Sequence, residues 1–156
     1  MGKKDKKNKD KKGKKNSKKG FNREQHTYFI NVDLDIESKY DISPIIKDFG
    51  DKVFILNDES YSEGSYNLSV ELNNSWCQQE PEGLILGYIE LIKNFSDDAK
   101  DAWNKAHKKS FDLGYECGFQ PYSINNELSA NTTNAVASVG ASVIFTLYSV
   151  QKEKSK

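Results

Sequence analysis

Cysteine and histidine are scarce, with two of each in 156 residues. Cys77 and Cys117 lie far apart without CxxC spacing, and His26 and His107 are equally scattered. A zinc site draws about four ligands, usually in closely spaced pairs, so no metal centre is expected. The two thiols read as reduced cysteines of a cytosolic protein. A nucleophile elbow, a Gly-rich phosphate loop and an HExxH motif are also missing. No catalytic or cofactor-binding residues are therefore expected. No run approaches the roughly 18–20 continuous apolar residues of a membrane span. No apolar h-region follows the basic start, and Lys6 stands where a myristoylation signal after Met1-Gly2 carries Ser or Thr. The expected location is the cytoplasm, and the four glycosylation sequons count as chance matches.

One further absence carries information. Lys and Arg are missing from Val53 to Ile92, while Asp58, Glu59, Glu63, Glu71, Glu80, Glu82 and Glu90 fall within that stretch. The formal net charge of zero is a cancellation. Residues 1–20 hold eleven Lys against two Asp, a net of +9, and the remainder holds 12 basic and 21 acidic residues, a net of −9. The first twenty residues offer nothing to a core and predict a disordered Lys-rich tail. Residues 21–150 form the expected single domain, and 151–156 a charged C-terminal tail.

From Tyr28 to Glu37, apolar residues at even positions (Tyr28, Ile30, Val32, Leu34, Ile36) alternate with mostly polar ones, Phe29 being the exception. Period two predicts a strand with one buried and one wet face. Ser43 as cap and Pro44 in the first turn predict a short helix ended by Gly50. Val53–Leu56 reads as a strand, Asn57–Ser65 as a polar connection and Tyr66–Leu72 as a third strand. Pro81 opens the main core helix, with Leu84, Tyr88, Leu91 and Phe95 at helical spacing. Ser96 caps a second helix with Trp103 on its stripe and Lys108 and Lys109 near its end. Phe111–Phe119 alternates with odd positions inward. A weak helix from Asn125 to Val139 leads through Gly140 to a last strand, Ala141–Val150. That strand is apolar on both faces and is expected to be central or covered. The order lacks a regular βα rhythm and predicts an α+β two-layer sandwich. Its sheet is mixed and mostly antiparallel, with helices on one face, and ferredoxin-like in part.

Residues from about Tyr28 to Tyr148 resemble a bacterial family known only as domain-of-unknown-function family 4279. The likeness rests on the early strand with its Ile-rich helix, the Tyr66–Leu72 strand, and the ending Leu128…Val139-Gly140-Ala141-Ser142-Val143…Leu147-Tyr148. Members often carry a Trp in the middle strand, where this chain has Tyr66. The resemblance implies no catalytic residues. In charge and size the domain also resembles small acidic immunity proteins that neutralise bacterial toxins.

Asp33, Asp35 and Glu37 sit at i, i+2 and i+4, which on a strand spaces them about 7 Å apart on one face. A calcium site needs oxygens converging to about 2.5 Å from one ion, so a solvated strand face is expected instead. With Asp58, Glu59, Glu63, Glu71, Asp112 and Glu116 they form the candidate surface for a basic protein partner, a toxin being the concrete case. The alternative is a nucleic-acid- or ribosome-associated protein acting through its Lys-rich tail. Without aromatics or Arg in that tail, its contact with nucleic acid or an anionic surface would be weak and non-specific.

Overall fold

A computed structural model describes residues 26–62, 64–73 and 80–149. Both tail assignments, 1–20 and 151–156, lie outside the described residues, as do Cys77 and Glu63. The elements follow the expected order: β1 (Tyr28–Ser38), α1 (Ser43–Phe49), β2 (Val53–Ser62), β3 (Ser65–Leu72), α2 (Pro81–Lys93), α3 (Asp97–Lys105), β4 (Lys108–Glu116), α4 (Ala130–Ser138) and β5 (Ser142–Tyr148). They build one five-stranded sheet in the order β2-β3-β1-β4-β5. All pairings are antiparallel except β4 with β5.

The first four strands, with α1 after β1 and the α2–α3 pair between β3 and β4, reproduce the ferredoxin-like arrangement, in which each helix returns the chain beyond an intervening strand. The α4–β5 unit is appended at one edge. The fold is thus α+β, with its helices against one face of the sheet.

Alternation in β1 buries Val32, Leu34 and Ile36 completely. They meet Leu68, Val70 and Leu72 of β3, Phe111 and Leu113 of β4, and the broad stripe of α2 centred on Leu84, Ile85, Tyr88 and Ile89. Pro81 supplies the first turn of α2, where a missing N–H costs nothing. The Tyr88 hydroxyl lies 2.8 Å from the carbonyl oxygen of Val70 and 3.1 Å from that of Val32, so this phenol ties the helix to two strands.

The Ser96 hydroxyl caps α3 by accepting from Ala99 N–H at 3.3 Å, and Asp97 and Asp98 occupy its acidic first turn. The Asp48 carboxylate at the end of α1 accepts from Ser96 N–H at 2.6 Å, which holds its pKa below the usual value. Gly140, with φ 68°, turns the chain out of α4 as the sequence suggests.

Several expectations are corrected. Ile42, not Ser43, stands at the cap of α1, and the Asp41 carboxylate accepts from Ser43 N–H at 2.9 Å and Ser43 Oγ–H at 2.7 Å. A bulge between Phe29 and Asn31 reverses the parity at the start of β1. Phe29 therefore packs on the core against Tyr115, while Ile30 is 48% exposed. The Asn57–Ser65 connection is a β-hairpin, because β2 continues to Ser62. α4 begins at Ala130 rather than Asn125, where Ser129 accepts from Thr132 N–H at 3.2 Å. Among the described residues β5 is an edge strand, and Phe145, Leu147 and Tyr148 are exposed.

Lys108 and Lys109 belong to β4, since α3 stops at Lys105. Lys109 nevertheless completes the end of that helix. Its Nζ donates to the carbonyls of Trp103 at 3.1 Å and Ala106 at 3.2 Å, and sits 5.4 Å from the Trp103 ring centre. Burial pushes its pKa down. The Trp103 indole N–H donates in turn to Val139 O at 2.8 Å, fastening the end of α4 to α3.

Candidate functional site

The face of the sheet away from the helices carries the acidic residues. Cross-strand register aligns Glu71 of β3, Asp33 of β1 and Asp112 of β4 in one row. In the adjoining row Asp35 lies between Ser69 and Ser110, and in the next Glu37 lies between Asn67 and Lys108. Glu116 pairs with Tyr28 beyond the bulge, and the Tyr28 hydroxyl donates to its Oε2 at 2.6 Å. Six of the nine candidate residues thus share one face: Asp33, Asp35, Glu37, Glu71, Asp112 and Glu116.

Of the other three, one lies off this face and one reaches it by register. A second bulge, between Ile55 and Asn57, leaves Asp58 paired with buried Leu68 and therefore on the helix side of β2. Glu59 stands at the register position opposite Asn67, in the row that contains Glu37. Glu63 lies outside the described residues.

Like charges directly opposite one another on a sheet repel, and Asp33 shows the result. Burial, then the charges of Glu71, Asp35 and Asp112, push its pKa up from 3.8 to about 6. One oxygen accepts from Asn31 Nδ2 at 2.9 Å. Asp112 Oδ2 accepts from Thr146 Oγ1 of β5 at 2.8 Å, while its Oδ1 is buried with no hydrogen-bond partner among the described residues. The Ser110 hydroxyl is buried and equally unpartnered. Among the described residues, nothing cationic lies in the Glu71–Asp33–Asp112 row.

Among the described residues, positive charge enters at one end. The sequence places Lys108 at a helix terminus and assigns no cation to this face. In β4 it lies opposite Glu37 and donates to that carboxylate, which raises the Lys108 pKa. His107 Nε2 stands 3.8 Å from Glu37 Oε2. A shallow depression of about 140 Å³ is bordered here by Asp35, Glu37, Asn57, Asn67, Ser69 and Lys108.

Among the described residues, no three His, Cys, Asp or Glu side chains converge as a metal site requires. No helix among them is long and apolar enough to cross a membrane. The chemistry available to the face is electrostatic: it attracts cationic groups.

Part of the acid-rich stretch does structural work elsewhere. Glu82 on α2 accepts from Ser129 N–H at 3.0 Å and from the Thr132 hydroxyl, and these bonds hold its pKa down. Tyr28 and Lys108 are among the members of the face that sequence reasoning missed. The signal for Tyr28 was Phe29, the one misfit in the alternation of β1. Lys108 required knowing where α3 ends.

No family model, curated protein or solved structure matches the chain.

Proposed function

We propose that the open acidic face docks a basic protein partner, and that the protein is a bacterial cytosolic immunity protein neutralising a toxin by contact. The observation that carries this reading is the Glu71–Asp33–Asp112 row. Three carboxylates lie side by side on adjacent strands, and burial, together with the charges of Glu71, Asp35 and Asp112, pushes the pKa of Asp33 up to about 6. A partner's Lys or Arg side chains would relieve that repulsion on binding. Complementary charge also accelerates encounter and disfavours acidic competitors. The resemblance to family 4279 supplies no activity to set against this reading.

The test begins with capture of the partner from the native host, using the full chain and a chain lacking residues 1–20. Association of the purified partner is then followed by biolayer interferometry over a range of salt. Asp33→Lys, Asp35→Lys and Glu71→Lys together should slow association at least tenfold and flatten its salt dependence, with an unchanged far-UV spectrum. Unaltered association by the triple variant would reject the face. Capture of nucleic acid or ribosomes that depends on residues 1–20 would instead favour the Lys-rich tail as the functional element.

A further inference from the structure

The two edges of the sheet differ in how they meet solvent. β2 is interrupted by two bulges and carries Asp58 and Glu59, features that obstruct pairing with another strand. β5 has neither. Its seven residues, Ser142–Tyr148, include no charge, no Pro and no Gly, and its register with β4 runs without a break. Among the described residues it pairs with β4 alone. Such a flat, β-branched and aromatic edge is a template for a further strand.

Several of its side chains are also exposed. Phe145 and Leu147 point to the helix side, opposite Leu113 and Tyr115, yet they are 58% and 66% exposed. They border a recess of about 320 Å³ that also meets Tyr115 and Ile124.

We propose that β5 is a self-association edge, at which two copies of the chain join antiparallel in a register centred on Phe145. The sequence of the strand fits that occupant. A two-fold axis at Phe145 sets Phe145 opposite Phe145 of the second copy, Val143 opposite Leu147, Ile144 opposite Thr146 and Ser142 opposite Tyr148. The helix-side pairs are then wholly apolar, and no pair brings charge against charge. This matters because the acidic face of the same sheet would set carboxylate against carboxylate if two copies met there, and this edge sets none. The acidic row stops one strand short of the edge, at Asp112. Across the joined edge the two Asp112 residues stand three strand spacings apart and two residues out of line, so more than about 14 Å, beyond the screening length at physiological salt. Seven residues fall short of the roughly 20–30 per side of a standard interface, so the dimer is expected to form at micromolar concentration. The inference stands independently of the acidic face.

Sedimentation velocity of the full chain over a range of about 1–500 µM tests it, together with a charge exchange at the axis. The wild-type chain should dimerise. Phe145→Glu and Phe145→Lys should each raise the dissociation constant at least tenfold, because each places two like charges face to face. Mixing the two variants should restore a dimer containing one of each. Leu147→Glu is a second disruption at a residue still more exposed than Phe145, with near-unchanged far-UV spectra confirming the fold. A wild-type chain that stays monomeric throughout overturns the proposal, as does a dimer that survives Phe145→Glu. Failure of the mixture to associate overturns the Phe145-centred register. Slow, concentration-independent hydrogen exchange at the β5 amides that point away from β4 would show the edge covered by the chain itself, and would likewise overturn it.

Discussion

The two faces of the sheet are built from the same strands and differ in every second residue. Toward the helices, Val32, Leu34 and Ile36 meet Val70, Phe111 and α2 at zero to one per cent exposure. On the open side, Asp33, Asp35 and Glu37 are half-buried among carboxylates, serines and a single lysine. One face lowers the free energy of the fold by removing apolar surface from water, and the other raises it by crowding like charge. Stability and recognition are thus assigned to opposite sides of single strands. A change on one side is expected to act with the opposite sign to a change on the other.

The largest effect should come from the covered face. Leu34→Ala removes a fully buried side chain beneath α2 and should cost about 2–5 kcal/mol in chemical denaturation. A cost below about 1 kcal/mol would mean that the core is far looser than its burial implies. Tyr88→Phe keeps the ring and deletes the hydroxyl between Val32 O and Val70 O, for a loss of about 1 kcal/mol.

Asp33→Asn should reverse the sign. The Asp33 pKa is raised from 3.8 to about 6, so the folded chain holds that proton more tightly than the unfolded chain does. The stability gained from the neutral form is present below about pH 4 and is lost as pH rises through 6. Removing the charge should therefore stabilise the fold by about 1 kcal/mol at pH 7, after discounting for partial exposure, and by little at pH 3. Equal effects at both pH values would show that the repulsion is not electrostatic. Lys108→Ala, which breaks the exposed pair with Glu37, should change stability by less than about 0.5 kcal/mol at moderate salt.

Much of this was legible in the sequence, because alternation is a local property. The parity of Val32 to Ile36, Leu68 to Leu72 and Phe111 to Tyr115 can be read residue by residue, and so can the Ser96 cap and the Gly140 turn. What escaped depends on partners distant in the chain. A bulge at Ile30 is defined only against β4, and a bulge at Leu56 only against β3. The first turned Tyr28 toward the acidic face, and the second turned Asp58 away from it. The start of α4 escaped for a similar reason, since Glu82, 47 residues upstream of Ser129, supplies part of its N-terminal bonding. β5 was misread because an apolar strand looks the same whether another layer covers it or nothing does. Burial is a property of the assembled fold, and composition alone cannot distinguish the two cases.

The bond from Trp103 to the end of α4 gives the molecule an optical reporter. The chain has two tryptophans, and replacing Trp76 with Phe would leave Trp103 as the sole indole. That indole touches both the ferredoxin-like core, through Lys109, and the appended α4–β5 unit, through Val139. Its emission would respond if the appendage lifted away while the core stayed folded, because its N–H would exchange a carbonyl for water. Comparing that emission with far-UV ellipticity during denaturation would reveal whether the edge strand melts with the rest of the sheet or ahead of it.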